Sequence, residues 1–207
     1  MIKIYYANIN LIDKDLINKY NNKEKYLQMS NENKRKEQIV RDILLDYVIK
    51  KENISESIVY NKYGKPDFSN FNKHFNISHS GNFVIIAISN YEIGIDIQKI
   101  VEYDDMKLNK MIKHIYSDND YNYYNQNDNI TFSEIWSIKE AYLKCIGIGL
   151  IKNIKDIYID YENKNIVLKD NKILNYVSYV SNGYVMAIVC KEIDKIEAIN
   201  YNKNEDK

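Results

Sequence analysis

Cysteine is scarce in this chain of 207 residues: Cys145 and Cys190 are the only two, and their spacing matches no metal-binding pattern. Two thiols in a chain of this length exclude a disulfide framework and predict a reducing compartment. Long apolar runs are missing as well. The longest, such as residues 83–88, is far too short to cross a bilayer, and residues 1–10 carry Lys3 without a secretory pattern. No sign of charge dominates, because Lys plus Arg and Asp plus Glu both total 29, so no overall field recruits nucleic acid or membrane. There is one proline, Pro66. Together with the excess of Asn, Lys, Ile and Tyr, that reflects an AT-rich coding bias and no function. A cytoplasmic protein binding neither nucleic acid nor membrane is expected.

An apolar content of 45% can build a real core, as one large domain or two small ones. Residues 2–7 read as a first strand. Residues 34–50 read as the main amphipathic helix of the first half, with Ile39, Ile43, Leu44, Tyr47 and Val48 at helical spacing. Residues 58–60 suit a short strand and Tyr63-Gly64-Lys65-Pro66 a turn. Residues 75–78 and 83–89 form a hairpin about His79-Ser80-Gly81-Asn82, and residues 93–97 a further strand. The segment 101–129 should hold one or two helices, with its Asn-rich part, 121–129, a loop. Residues 132–146 make the strongest helix of the second half, ended by Gly147 and Gly149. Residues 157–161, 166–169, 176–180 and 184–189 then read as strands of an antiparallel sheet.

A faint repeat links Ser80–Ile88 to Ser181–Ile188 at an offset of 101 positions. Either any two hairpin strands look this alike, or the chain is two similar halves, residues 1–100 and 101–207, each a strand, a main helix and a hairpin, with a groove between them suited to a ligand.

The residues with chemistry to offer lie in two places. Gly94-Ile95-Asp96-Ile97-Gln98 sets an acid within an apolar strand, where it needs a cation to hold. Trp136-Ser137-Ile138-Lys139-Glu140-Ala141-Tyr142-Leu143-Lys144 places Trp136, Glu140 and Lys144 four apart on one helical stripe. An acid from a strand and one from a helix can converge on Mg²⁺ while lysines meet the phosphates it carries. Each has a plainer explanation: a strand-end Asp capping amides, a surface ion pair between Glu140 and Lys144, a core tryptophan. Co-occurrence favours the phosphate site. Ser78-His79-Ser80 is no nucleophile–base pair, since neighbours in an extended strand point to opposite faces. Its hydroxyls, turn amides and imidazole suit phosphate better. Gly64-Lys65-Pro66 presents a lysine on a rigid turn and is not a P-loop.

Taken in order, Tyr63-Gly64-Lys65-Pro66, Phe75-Asn76-Ile77-Ser78-His79-Ser80-Gly81, Ile93-Gly94-Ile95-Asp96-Ile97 and the stretch Trp136–Lys144 resemble the 4′-phosphopantetheinyl transferases of the larger, surfactin-synthetase-activating type. The resemblance implies two α+β halves related by a pseudo-twofold within a monomer, each a small antiparallel sheet on a long helix. It implies coenzyme A as co-substrate, Mg²⁺ as cofactor, and an acyl or peptidyl carrier protein of fatty-acid, polyketide or peptide synthesis as partner. By the resemblance, Asp96, Gln98 and Glu140 stand at the metal, with Gln98 replacing an acid found in many relatives. Lys144 would contact the phosphate under attack and Lys139 support it. Lys65, Ser78 and His79 look like coenzyme A contacts, His79 near the 3′-phosphate, with Lys36 or Arg41 supplying a further basic contact. Asp120 falls where relatives carry a glutamate proposed as the base and is one methylene shorter, so it would act directly or through a water. The alternatives are another Mg²⁺-dependent nucleotide enzyme and a non-catalytic coenzyme A or carrier-protein binding module of the same fold. The stretch after Val101 and residues 146–151 are the expected docking surface.

Overall fold

The computed structural model describes residues 1–70, 72–127, 130–149, 154–168 and 172–203. It is an α+β fold in which two sheets meet and each carries a long helix. The first sheet runs β11 (Ile196–Asn200), β1 (Ile2–Asn8), β5 (Phe83–Ser89), β4 (His74–Ser80). The second runs β6 (Ile93–Lys99), β10 (Tyr184–Cys190), β9 (Ile173–Ser181), β8 (Asn165–Val167), β7 (Tyr158–Asp160). A separate hairpin, β2 (Ile58–Tyr60) and β3 (Pro66–Phe68), stands where only a short strand and a turn were expected.

The helix α3 (Glu32–Lys51) begins where the Asn31 side chain accepts from Lys34 N, leaving one fewer unpaired amide in the first turn. It buries Ile39, Val40, Ile43, Leu44, Tyr47 and Val48 against Tyr5, Val84, Ile86 and Ile88 of the first sheet. Two smaller helices, α1 (Lys14–Asn21) and α2 (Glu24–Leu27), precede it. In the second half, α4 (Asp105–Ile115) and α5 (Asp118–Gln126) lead into α6 (Phe132–Ile146). The Asn-rich stretch expected as a loop is therefore helical through Gln126. A reciprocal cap between Ser117 and Asp120 satisfies its first amides, which offsets its poor helix composition. Thr131 caps the start of α6, and Gly147, at φ +68°, ends it in the left-handed conformation that favours glycine.

Some pairings recur between the two sheets. Lys3 faces Ile88 in the first sheet, and Gly94 faces Val189 in the second, 91 and 101 positions later. Ser80 faces Phe83 and Ser181 faces Tyr184, both 101 positions apart. The sheets do not divide at residue 100, however. β6 precedes that point yet pairs with β10, and β11 follows it yet pairs in parallel with β1. β1 and β11 thus pair in the first sheet although they are far apart in sequence.

Between the sheets lies a third apolar cluster of Ile2, Ile4, Ile85, Ala87, Ile93, Ile95, Ile97, Ile188 and Cys190. The edge strands β4 and β6 are joined by side chains rather than by a backbone ladder. Asn76 Oδ1 accepts from Ile95 N at 2.9 Å, Ser78 Oγ from Ile97 N at 3.2 Å, and Ser80 Oγ from Lys99 N at 2.9 Å. Alternate polar residues on one strand therefore satisfy alternate amides on the other, as the two-residue period of a strand requires.

Candidate active site

The face of β6 opposite the isoleucines carries Gly94 and Asp96, and α6 crosses directly above it. A Cβ placed on Gly94 would come within 1.8 Å of Ala141 O and 2.4 Å of Cys145 N. Only a glycine permits this approach, and the approach brings Glu140 and Lys144 of α6 to Asp96.

Asp96 is almost wholly buried and three side chains converge on it. Lys144 Nζ lies 2.6 Å from Oδ1, Ser78 Oγ donates to Oδ1 at 3.0 Å, and Gln98 Nε2 donates to Oδ2 at 3.0 Å. Lys144 Nζ also donates to Ser78 Oγ at 2.8 Å. Beside this group, Glu140 Oε1 is buried with no hydrogen-bond partner. Burial, then the neighbouring Asp96 charge, push the Glu140 carboxyl above the usual glutamate range, while Lys144 pulls it partly back.

A cavity of about 270 Å³ opens here, lined by Tyr63, Gly64, Lys65, Pro66, Asn76, Glu140, Leu143 and Lys144 among others. The β2–β3 hairpin forms one wall. Asn61 Oδ1 accepts from Tyr63 N and Lys65 N, which holds the turn, while Asn61 Nδ2 donates to Gly147 O and Lys65 Nζ to Cys145 O, each at 2.7 Å. Lys65 thus places its charge at the C-terminal end of α6, where carbonyls lack partners.

The donor set suits a divalent cation. Glu140 offers an oxygen with no partner, Asp96 offers a second carboxylate, and one ammonium serves both. Among the described residues no group of three or more His, Cys, Asp or Glu converges, and Asp96 and Glu140 are the acids gathered at this point. Mg²⁺ keeps several waters and needs no more than one or two carboxylates beside a phosphate ligand. Gln98, expected at the metal, spends its amide on Asp96.

The sequence motifs separate in the structure. Lys65, Glu140 and Lys144 line the cavity, with Asp96 and Ser78 behind Lys144. The proton of Ser78 goes to Asp96, so this hydroxyl acts by holding the ion pair. His79, one residue further along β4, turns to the exposed side, where its Nδ1 lies 3.1 Å from Glu37 Oε2 of α3. On the same helix Arg41 is paired with Asp42 at 3.0 Å, and Lys36, directly before Glu37, is the basic residue nearer in sequence to the histidine contact.

Asp120 and Lys139, expected near the reacting groups, lie apart from the residues that line the cavity. Both side chains are fully buried and lie 2.6 Å apart. Asp120 Oδ2 also accepts from Ser117 N and Oγ, and Oδ1 from Tyr161 OH at 2.6 Å. Lys139 Nζ donates to Ile115 O at 2.9 Å and Ile154 O at 3.1 Å. In this arrangement both side chains face one another and their own neighbours, and neither faces the cavity. The pair fastens α4, α5 and the turn Ile154–Asp156 onto α6 instead. Adjacent helix positions differ by about 100° in direction, so Lys139 and Glu140 cannot share a face. Asn76, inside the β4 motif, and Asn61, just before the turn, also hold the site together. Their signal was polar alternation in a strand and an Asn before a Gly-containing turn.

Residues 92–189 match the family model of the 4′-phosphopantetheinyl transferase superfamily, a span from just before β6 to the end of β10. The 4′-phosphopantetheinyl transferase gsp of Aneurinibacillus migulanus is 39% identical over 138 residues, covering 63% of this chain and 56% of that protein. The transferase ffp of Bacillus subtilis is 35% identical over 139 residues, 56% of this chain and 55% of its own length. The transferase Sfp of Bacillus subtilis strain 168 is 32% identical over 155 residues, 70% of this chain and 67% of its own. The chain belongs to the 4′-phosphopantetheinyl transferase superfamily. It spans a little over half the length of the first two of these relatives. Among the described residues no helix is long and apolar enough to cross a membrane.

Proposed function

We propose that this chain transfers the 4′-phosphopantetheine group of coenzyme A to a serine of an apo acyl or peptidyl carrier protein. A bond forms between the serine Oγ and the phosphorus bearing pantetheine. The bond from that phosphorus to the bridging diphosphate oxygen breaks, and its electron pair leaves on adenosine 3′,5′-bisphosphate. The serine proton passes to solvent as the reaction completes.

The observation that carries this reading is the Asp96–Lys144 pair, 2.6 Å apart, with the unpartnered oxygen of Glu140 beside it at a cavity mouth. Such a reaction is helped chiefly by charge placed where charge develops. Lys144 supplies a cation there, and Ser78 and Asp96 keep it in position. Bound Mg²⁺, held by Asp96 and Glu140 with waters completing its shell, would neutralise the diphosphate. Lys65 offers a second cation across the cavity, and His79 with Lys36 offers donors for the 3′-phosphate. The carrier would dock on the side of α4; residues 150 and 151 of the expected docking segment lie outside the described residues.

The test is intact-mass measurement of apo carriers from fatty-acid, polyketide and peptide synthesis incubated with coenzyme A and Mg²⁺. A gain of about 340 Da, the mass of the phosphopantetheine group, is expected and should vanish when the carrier serine is alanine. If coenzyme A binds and no carrier gains mass, the chain is a non-catalytic binding module.

A further inference from the structure

At one end of the apolar cluster between the two sheets a cavity of about 400 Å³ opens. Its floor is Ile4 and Ile85 of the first sheet and Ile97 of the second, all buried. Phe83 and Tyr184 stand edge to face along it, with ring centroids 5.1 Å apart. Half-buried Met186 adds a thioether that adapts to whatever lies against it. Exposed Ser181, Asn182 and Ala198 form the mouth. This cavity shares no lining residue with the one at Glu140 and Lys144. Ile97 stands between Asp96 and Gln98, and successive strand residues face opposite ways, so the two cavities meet β6 on opposite faces.

The lining decides what could enter. It contains no charged residue, so an ion would lose its water there without gaining a partner. Two of its side chains carry phenol hydroxyls. Tyr184 OH accepts from Asn82 N at 3.2 Å, and its own proton has no acceptor among the described residues. Tyr6 OH has no hydrogen-bond partner among them. Such a volume, an apolar lining and a few polar groups together mark a small-molecule site. A helix is about 10–12 Å across with its side chains, too wide to enter between sheets stacked about 10 Å apart. We infer that this cavity is a second ligand site, taking an uncharged, mostly apolar small molecule that accepts a hydrogen bond from Tyr184 or Tyr6. It stands independently of the function proposed above.

The probe for the test is Nile red, an uncharged dye with a carbonyl oxygen, whose emission strengthens and moves to the blue in apolar surroundings. Titration with the wild-type protein should show one saturable site. Ala198→Trp fills the mouth from an exposed position and should weaken binding at least about tenfold while the melting temperature stays close to wild type. Ala198→Leu, a smaller filler, should weaken it severalfold and covers the case in which Ala198→Trp fails to fold. Tyr6→Phe combined with Tyr184→Phe keeps the rings and removes both donors, and should also weaken binding severalfold. Absence of saturable binding to the wild type, or unchanged affinity in whichever Ala198 variant folds, would overturn the site. Unchanged affinity in the double phenylalanine variant would overturn the hydrogen bond and with it the class of ligand.

Discussion

Gly94 lies directly beneath Ala141, so close that a methyl group on the strand would overlap the helix carbonyl at 1.8 Å. The contact fixes the height of α6 above β6, and with it the meeting of Glu140 and Lys144 with Asp96. Gly94→Ala should therefore lose about 3 kcal/mol or more of stability, the upper range for overpacking a rigid contact. Any folded fraction should have lost its activity, because α6 must rise. Urea unfolding and turnover of the purified variant check both, and a stable, active Gly94→Ala protein would show that the helix has room.

Glu140 and Lys144 should separate stability from activity. Glu140 Oε1 is buried without a partner, so Glu140→Gln removes a costly charge and should raise the melting temperature of the ligand-free protein. Turnover should fall at least about 100-fold in Glu140→Gln and in Lys144→Ala, the loss expected for an electrostatic contributor worth about 3 kcal/mol. Mass-spectrometric rate assays alongside thermal unfolding read both quantities. Wild-type rates in either variant would show that its side chain serves the fold and not the reaction.

Lys139→Met should behave in the opposite sense. It leaves the Asp120 charge buried with only Ser117 and Tyr161 as donors, and should cost about 3–5 kcal/mol. Adding Asp120→Asn to Lys139→Met should recover much of that loss, which denaturant curves of the single and double variants would reveal. If Lys139→Met keeps its stability and loses only turnover, the lysine acts in the reaction after all.

Gln98 donates to Asp96 at 3.0 Å where a third carboxylate would bind metal. Gln98→Glu replaces that donor with a like charge, so the protein without Mg²⁺ should melt at a lower temperature. Mg²⁺ should then raise its melting temperature more than it raises that of the wild type, since ligand binding stabilises by mass action. A thermal-shift series in Mg²⁺ measures this directly, and equal responses in the two proteins would place Gln98 away from the metal.

Far from the site, Glu52 at the end of α3 accepts from Lys3 at 2.7 Å, from Lys73 at 3.2 Å and from the Tyr5 hydroxyl. Burial alone would raise its carboxyl, but the bonds to Lys3, Tyr5 and Lys73 outweigh it and hold the group below the usual glutamate range. A depressed carboxyl contributes stability above its unfolded pKa of about 4.3 and loses it as pH falls through the lower folded value. Glu52→Gln should thus melt lower at pH 7, and its melting temperature should fall less than that of the wild type between about pH 5 and pH 3.

Much of this was legible in the sequence because it is local. Apolar residues at helical spacing marked α3 and α6, the Gly-bounded alternations marked the β4–β5 and β9–β10 hairpins, and the quoted motifs named Asp96, Glu140, Lys144 and Lys65. β11 leaves little local mark in the sequence, because a short, half-exposed strand gains its pairing only by returning to β1, across nearly the whole chain. α5 was hidden by asparagines, whose cost in a helix is outweighed by the Ser117–Asp120 cap.

The sequence by itself determined which chemical groups the protein has and on which elements they ride, because periodicity and capping act within a few residues. It could not decide which groups meet. Lys139 and Glu140 are neighbours in the chain, and only the packing of α6 on β6 sends one to Asp120 in the core and the other to the cavity beside Asp96. That division depends on Gly94 having no side chain and on the row Asn76, Ser78 and Ser80 bonding to the amides of β6. Both are contacts between segments distant in sequence, whose strength comes from burial and from the cost of leaving polar groups unpaired.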